Sequence, residues 1–179
     1  MTTKTNFETM RQTLLLFLAL ILMPHTINAL PFKEISTDNG LSNRRVQKSI
    51  LDDNGYIWFA TRSGIDRYNG EFFVHYTLSA SAENEVTEHP RGILINNQKE
   101  IYAFSEANIY KFSYKTDSFH QVNNINLTQR EAINAITFDP TGHLWIGTTE
   151  HLYRFNTNDS TLQPIKQKVA VHCLLFEKE

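Results

Sequence analysis

The sequence predicts an all-β fold built from repeated units of four short antiparallel strands, and two observations support this prediction. First, similar segments recur roughly every 43 to 44 residues along the 179-residue chain. Second, each unit consists of short apolar runs separated by glycine, asparagine and aspartate turn signals, which is typical of strands joined by hairpins. A solenoid of helix pairs has a similar period, but the units lack the sustained 3.6-residue apolar pattern of helices.

The first unit shows this pattern most clearly. Its predicted strands are residues 46–51, 57–61, 65–68 and 72–76. Gly55 ends the first turn, where glycine accepts a positive φ at little steric cost, and Arg62-Ser63-Gly64 form the second turn. Asn69 and Gly70 form the third turn, and Asn-Gly is a strong signal for a two-residue hairpin. The unit is therefore interpreted as four antiparallel strands in chain order.

The other two units repeat the first with different fidelity. The third unit has predicted strands at residues 133–138, 144–148, 152–155 and, more loosely, 161–165. Its turn from Asp139 to Gly142 matches the turn from Asp52 to Gly55. The second unit lacks that glycine turn and has Asn-Asn-Gln-Lys at residues 96–99 instead. Because asparagine also tolerates left-handed backbone, we expect the hairpins of the second unit to be retained.

Two residue types recur at fixed places in every unit. The aromatic position is Trp58, Tyr102 and Trp145, and the basic position is Arg67, Lys111 and Arg154. A binding site needs asymmetry, so a residue repeated in every unit is interpreted as structural. We expect the aromatic rings to pack between units instead of stacking on a sugar, and the basic side chains to snorkel or to pair with carboxylates.

Four antiparallel strands in a unit of this length are typical of a β-propeller blade. The blades are predicted at about residues 41–77, 86–122 and 130–165, with the start of a fourth at 168–179. Propellers usually close with four to eight blades. We therefore expect an incomplete ring, the fragment of a longer propeller left by a truncated gene or an early stop.

The repeated motifs resemble those of the two-component regulator propeller repeat family. The resemblance lies in the lead at residues 39–43, the Asp-x-x-Gly turns at 52–55 and 139–142, the tryptophan strands at 57–61 and 144–148, and the closing motifs at 64–68 and 152–155. It covers about residues 32–176. The second unit departs from the pattern, because Tyr102-Ala103-Phe104-Ser105 replaces the tryptophan strand.

This resemblance implies a role in signal transduction. In the family, the repeats form the periplasmic sensor of Bacteroidetes-type hybrid two-component proteins. A further β-rich domain, a transmembrane helix and a histidine kinase core follow, and many members are thought to detect oligosaccharides. The resemblance implies an oligosaccharide ligand, further blades or a second copy of the sensor as partners, and kinase and phosphorelay chemistry outside this segment.

The first 29 residues are predicted to be a secretory signal peptide. Lys4 and Arg11 give a weakly positive start, an unbroken apolar run follows at residues 14–23, and Ala29 offers a small residue for cleavage. A helix of ten residues rises about 15 Å, which is too short for a hydrocarbon core of about 30 Å. We expect export to the periplasm, with translation starting at either Met1 or Met10.

Composition and motifs argue against several function classes. The formal net charge is −2, and the sequence contains no run of basic residues. It therefore lacks the positive charge that binding to nucleic acid requires. Cys173 is the only cysteine, which excludes an internal disulfide or a Cys-based zinc site, and we expect it to be a buried apolar residue. The histidines lack metal-ligand spacing, and no nucleophile or phosphate-loop motif occurs. We expect no catalytic residue, metal or cofactor.

Candidate ligand contacts are sought among non-repeated polar residues in loops. Arg44 and Arg45 precede the first strand, Arg62 lies in the turn after the second strand, and Glu150 and His151 occupy the equivalent turn of the third unit. Besides a sensor, an exported scaffold or adhesion protein remains open. A secreted lyase or hydrolase is less favoured, because it would require clustered loop carboxylates or a histidine–metal set.

Expression of residues 30–179 tests the expectation of an incomplete ring. Open blade edges should promote association or aggregation. We therefore expect oligomers or aggregates in size-exclusion chromatography. A monomer with a cooperative thermal melt would contradict this prediction.

Overall fold

The structure is a computed structural model that describes residues 11–15, 33–80, 87–128 and 130–176. The chain divides into two units, Met1–Glu34 and Ile35–Glu179. In the first unit, residues 11–15 are helical. The rest of the predicted signal peptide lies outside the described residues. Across the described ranges, no helix has the length and apolar character needed to cross a membrane.

In the second unit, the described residues form three four-stranded antiparallel sheets, and each sheet follows chain order. The first blade contains β1 (Val46–Leu51), β2 (Ile57–Thr61), β3 (Gly64–Tyr68) and β4 (Phe73–Tyr76). The second blade contains β5 (Gly92–Ile95), β6 (Ile101–Phe104), β7 (Ile109–Ser113) and β8 (Ser118–Gln121). The third blade contains β9 (Ile133–Phe138), β10 (Leu144–Thr148), β11 (His151–Asn156) and β12 (Thr161–Gln167). A 3₁₀ turn, Thr37–Asn39, precedes the first blade.

These sheets confirm the predicted all-β fold of four-stranded propeller blades in an open arrangement. The segment predicted to begin a fourth blade, residues 168–179, contains no strand over its described part, which ends at residue 176. Instead, the backbone amides of Val169 and Val171 each donate, at 2.9 Å, to the carbonyl oxygens of Glu150 and Thr148 respectively. This segment therefore lies along one end of the third blade.

The apolar core lies between the blades, in two clusters. The first cluster joins the first and second blades and includes the fully buried Trp58, Ile65 and Tyr110. The second cluster joins the second and third blades and includes Ile133 and Leu144. Full burial of one large apolar side chain contributes about 1.5–3 kcal/mol. Each blade is therefore stabilised largely by its neighbour.

The repeated aromatic residues pack at the faces between blades. Trp58 is fully buried, and its ring centre lies 4.7 Å from that of Phe112 in an edge-to-face arrangement. Tyr102 packs on Phe138 of the third blade at 4.8 Å. Trp145 remains partly exposed and contacts Phe176 at 5.6 Å. The three rings thus occupy equivalent places in successive blades.

An aspartate in the β1–β2 turn satisfies the buried indole of the first blade. The Trp58 Nε1–H donates to Asp52 Oδ2 at 2.8 Å, while Asp52 Oδ1 accepts from the backbone amides of Asn54 and Tyr56. One carboxylate therefore closes the turn and pairs a polar atom that would be costly to bury alone. This explains why the aspartate precedes the tryptophan by six residues.

The same arrangement recurs in the third blade and is replaced in the second. Trp145 Nε1 donates to Asp139 Oδ2 at 2.9 Å. In the second blade Asn96 closes the turn, and its side-chain amide donates to Glu100 Oε2 at 2.9 Å. That same oxygen accepts from the Tyr102 hydroxyl at 3.2 Å. Glu100 thus bridges the turn to the aromatic ring where the aspartate–tryptophan pair is missing.

The repeated basic residues lie beside the aromatic ones. The Arg67 guanidinium lies 5.4 Å from the Trp58 ring centre and pairs with Asp117 of the second blade at 2.9 Å. Lys111 Nζ pairs with Glu100 Oε1 at 2.6 Å. Arg154 lies 3.0 Å from a ring nitrogen of His143. Arg67 thereby links the first two blades through its ion pair with Asp117.

The expectation for Cys173 is wrong, because this residue is exposed. Its neighbours take the apolar contact instead. A Cβ added at Gly147 of β10 would meet Val171 Cγ1 at 2.5 Å and Leu174 Cδ1 at 3.5 Å. Gly147 therefore provides the space in which Val171 packs, and the intervening Cys173 faces solvent.

Replacement of Gly64 by alanine tests the tight approach of β3 to β4. Gly64 has φ +147°, and a Cβ there would lie 2.5 Å from the carbonyl oxygen of Tyr76. Gly55 has φ +82° but open space around it, so Gly55→Ala measures the backbone strain alone. We expect Gly55→Ala to cost about 1–2 kcal/mol in urea unfolding, and Gly64→Ala at least about 2 kcal/mol more. Equal losses would contradict this account.

Candidate functional site

A cleft of about 610 Å³ opens where the β2–β3 turn of the first blade meets the β6–β7 turn and the lead of the second blade. Its walls come from all three blades. They are Arg45, Gln47 and Arg62 of the first blade, residues 87–91 and 105–107 of the second, and Asn134 of the third. The volume falls within the range of small-molecule sites in proteins, about 300–1,000 Å³.

Backbone hydrogen bonds hold the walls of this cleft. The amide of Arg62 donates to the carbonyl of Arg45 at 3.2 Å. His89 Nδ1 lies 2.8 Å from the carbonyl oxygen of Arg62. Because a carbonyl can only accept, Nδ1 carries the proton, and Nε2 of the neutral ring is an acceptor. The amide of Ile133 donates to the carbonyl of Glu106 at 2.7 Å, which joins the third blade to the second.

A carboxylate lies under the cleft and is fully engaged. Ser105 Oγ donates to Glu88 Oε2, and Asn108 Nδ2 donates to Glu88 Oε1 at 2.6 Å. Gln121 Nε2 donates in turn to Asn108 Oδ1 at 2.6 Å. Near this carboxylate, burial raises the pKa of the Tyr110 hydroxyl. The network fixes the turn at residues 105–108, which forms one wall of the cleft.

The third blade contains the equivalent network around Glu131. Its Oε2 accepts from Thr148 Oγ1 at 2.7 Å, and its Oε1 accepts from Thr128 Oγ1 at 2.5 Å and from Tyr153 OH at 3.0 Å. In both blades the glutamate precedes by 17 residues a hydroxyl partner that lies at the end of the second strand or directly after it. The glutamate is therefore a repeated position that the sequence alignment missed, because it lies outside the aligned segments.

The first blade builds the same network with the groups exchanged. Ser42 occupies the lead position, and the carboxylate is Asp66 on β3, where the later blades have tyrosine. Ser42 Oγ donates to Asp66 Oδ2 at 2.7 Å and lies 2.9 Å from Thr61 Oγ1. His75 Nδ1 lies 2.6 Å from Asp66 Oδ1. All three blades thus pair a carboxylate with one or more hydroxyls at this end, and the carboxylate is buried in the first and third blades and half-buried in the second.

Glu131, Glu150 and His151 form the one group among the described residues whose ligand atoms lie close enough together to hold a metal, within 4.8 Å of one another. His151 Nδ1 lies 3.1 Å from Glu131 Oε1. Both oxygens of Glu131 already accept hydrogen bonds from hydroxyl groups. Burial by itself would raise the pKa of Glu131, but these hydrogen bonds lower it to about 2. Because its central carboxylate already accepts hydrogen bonds from neighbouring side chains, we interpret this group as a structural network.

The structure separates the five residues named as candidate ligand contacts. Arg45 and Arg62 line the cleft together. Arg44 is exposed and does not line it. Glu150 and His151 lie instead beside Glu131 in the third blade. The candidate contacts thus fall into two places, and only the arginine pair belongs to the cleft.

Sequence reasoning missed His89, Arg91, Glu106 and Asn134, which also line the cleft. One signal was present for Glu106, because it follows Tyr102 by four residues, as Arg62 follows Trp58. His89 and Arg91 lie in the irregular lead before β5, where no pattern marks them. Their proximity to Arg62 follows from the packing of the first two blades.

Comparison with known sequences places one of these blades in a described repeat family. Residues 127–150 match the family model described as two component regulator propeller. The match covers the lead of the third blade, β9 and β10. The repeat recognised from its motifs is therefore confirmed, and the other two blades repeat its strand order.

Solved structures show the same fold. An extracellular domain of a protein described as a one component system from B. thetaiotaomicron matches with a TM-score of 0.67 and 19% identity, over 81% of this chain and 20% of its own. An extracellular domain described as belonging to a hybrid two component system from B. thetaiotaomicron matches with a TM-score of 0.60 and 19% identity, over 73% of this chain and 19% of its own. The chain thus spans about one fifth of the length of these structures. Among curated proteins, none matches significantly.

The pH dependence of unfolding tests the Glu131 network. The pKa of Glu131 lies at about 2 in the folded chain and at 4.5 ordinarily, so ionised Glu131 stabilises the fold above pH 4.5. That contribution should be lost as the pH falls from about 4.5 to 2. We expect Glu131→Gln to have a lower melting temperature at pH 7 and a flatter decline over this range than the unaltered chain. Parallel melting curves across this pH range would contradict the assignment.

Proposed function

We propose that this chain is part of an exported, ligand-sensing β-propeller, the N-terminal periplasmic segment of a hybrid two-component sensor. The observation that carries the proposal is the repeat at residues 127–150, whose family description names two component regulators. The likeness of the three blades to extracellular domains described as parts of one- and two-component systems supports it. Kinase activity and the phosphorelay belong to the proposal for the whole protein.

The cleft supplies a place for the ligand. Its walls come from three consecutive blades, so a ligand bound there would touch all three. Only a ligand with different affinities for two conformations can shift the balance between them. A molecule that bridges blades can discriminate between blade arrangements, whereas a molecule held by one loop cannot. This geometry is suited to a sensor.

We propose oligosaccharides as the ligand class. The cleft is lined mainly by polar groups, among them arginine, glutamine, histidine, serine and asparagine side chains. Such donors and acceptors match the hydroxyl groups of a sugar. Signalling would require the partners that the sequence resemblance implies, either further blades or a second copy of the sensor.

Ligand binding by the 179-residue chain tests this function. A panel of oligosaccharides released from plant and host polysaccharides is added, and the melting temperature is recorded, because a ligand that binds only the folded state raises it. We expect at least one mixture to raise the melting temperature in proportion to its concentration. If no mixture does so, the proposal of an oligosaccharide sensor is contradicted.

A matched pair of variants ties the effect to the cleft. Ala107 lines the cleft, whereas the exposed Ala80 does not. Ala107→Trp should fill the space and abolish the shift, and Ala80→Trp should leave the shift unchanged. Equal responses of the two variants would place the ligand elsewhere.

A further inference from the structure

The arginines of the cleft differ in how their charges are compensated. Arg91 forms an ion pair with Glu106. Among the described residues, neither Arg45 nor Arg62 forms a side-chain hydrogen bond or ion pair with any other group, although both line the cleft. Two exposed arginines thus line the same cleft, and neither side chain has a partner among the described residues.

Among the described residues, the acidic side chains of the cleft form no ion pair with Arg45 or Arg62. Glu106 is paired with Arg91, and both oxygens of Glu88 accept hydrogen bonds from Ser105 and Asn108. Among the described residues, three arginines and two glutamates line the cleft, an excess of one positive charge in a chain whose net charge is −2. The cleft is thus locally opposite in sign to the whole molecule, and a concave site concentrates such a field.

The cleft also lacks the groups that bind neutral sugars by stacking. Over the part of the chain that the structure describes, no ring of Trp, Tyr or Phe lines it. The ring of Trp58 is fully buried between blades, and Tyr102 and Phe112 are almost so. Without a stacking surface, affinity must come from hydrogen bonds and charge pairs. Guanidinium groups bind carboxylate and sulfate oxygens in paired, charge-assisted hydrogen bonds that are about twice as strong as neutral ones.

Further polar groups are available beside the two arginines. The side-chain Nδ2 of Asn134 is buried without a hydrogen-bond partner among the described residues. His89 Nδ1 is committed to the Arg62 carbonyl, so its neutral ring has an acceptor left at Nε2. A donor and an acceptor on the walls, together with two cations, fit a ligand that carries both hydroxyl groups and an anion.

From these observations we infer that the cleft binds an acidic oligosaccharide, with Arg45 and Arg62 holding a carboxylate or sulfate group on the sugar. The inference rests on the proposed function, because it names the class of oligosaccharide that the sensor recognises. The shared chemistry is an anion on a short sugar chain, and the experiment separates its two sources.

Calorimetric titration of the 179-residue chain tests the inference with four probes. They are a uronic acid oligosaccharide, a sulfated oligosaccharide, a neutral oligosaccharide of the same length, and inorganic sulfate. We expect one of the two acidic sugars to bind at least tenfold more tightly than the neutral sugar and than inorganic sulfate. Because charge pairs are screened, the affinity should fall as salt is raised from 50 to 500 mM.

Three variants locate the contact. Arg45→Gln and Arg62→Gln should each lower the affinity for the acidic sugar about tenfold or more, since loss of one charge-assisted hydrogen bond has an effect of that size. Lys48→Gln removes an exposed charge from the same strand as Gln47 but outside the cleft, and it should leave the affinity unchanged. Circular dichroism checks that each variant is folded, and the salt dependence of the unaltered chain tests the charge pairing without any variant.

The outcomes separate the two proposals. If the neutral sugar binds as tightly as the acidic ones, or if Arg45→Gln and Arg62→Gln behave like Lys48→Gln, the acidic-ligand inference is overturned and the sensor proposal stands. If inorganic sulfate binds as tightly as the sugars, the sugar part of the inference is overturned. If no sugar binds at all, both proposals fail.

Discussion

The burial of one blade's aromatic face against the next blade is the interaction on which the remaining structure depends. A four-stranded sheet of four to seven residues per strand cannot bury its own apolar side chains. Trp58 becomes fully buried only because Phe112 of the second blade lies against it. Asp52 makes this burial possible, since it accepts the indole N–H inside the interface. The Asp-x-x-Gly turn and the tryptophan strand are therefore one structural device.

At one end of the blades, a second device positions the turns. Each blade pairs a carboxylate with hydroxyl groups at this end, and the carboxylate is buried in the first and third blades. The first blade places the carboxylate on β3 and the hydroxyl on the lead, and the third blade exchanges them, with Glu131 on the lead and the Tyr153 hydroxyl on β11. The network tolerates this exchange because it requires complementary partners but not a fixed direction. It orders the turns from which the cleft is built.

The cleft follows from these two devices together. Packing of the aromatic faces brings the turns of neighbouring blades side by side, and the carboxylate networks hold those turns in place. Because the interfaces bury the aromatic side chains, polar and charged residues are left to line the cleft. The backbones of Arg45 and Arg62 join the walls of the cleft, whereas their side chains have no partner among the described residues.

The sequence by itself determined the strands, their order and the blade repeat, because turn signals and strand periodicity act over a few residues. It also marked Arg45 and Arg62, since they depart from the repeat. The tertiary structure alone decided which loops share a cleft, because His89, Arg91 and Asn134 approach Arg62 only through the packing of whole blades. It also decided the exposure of Cys173, since Val171 and not the cysteine fits over Gly147. Such contacts depend on the distances between blades, and those distances cannot be inferred from a local sequence pattern.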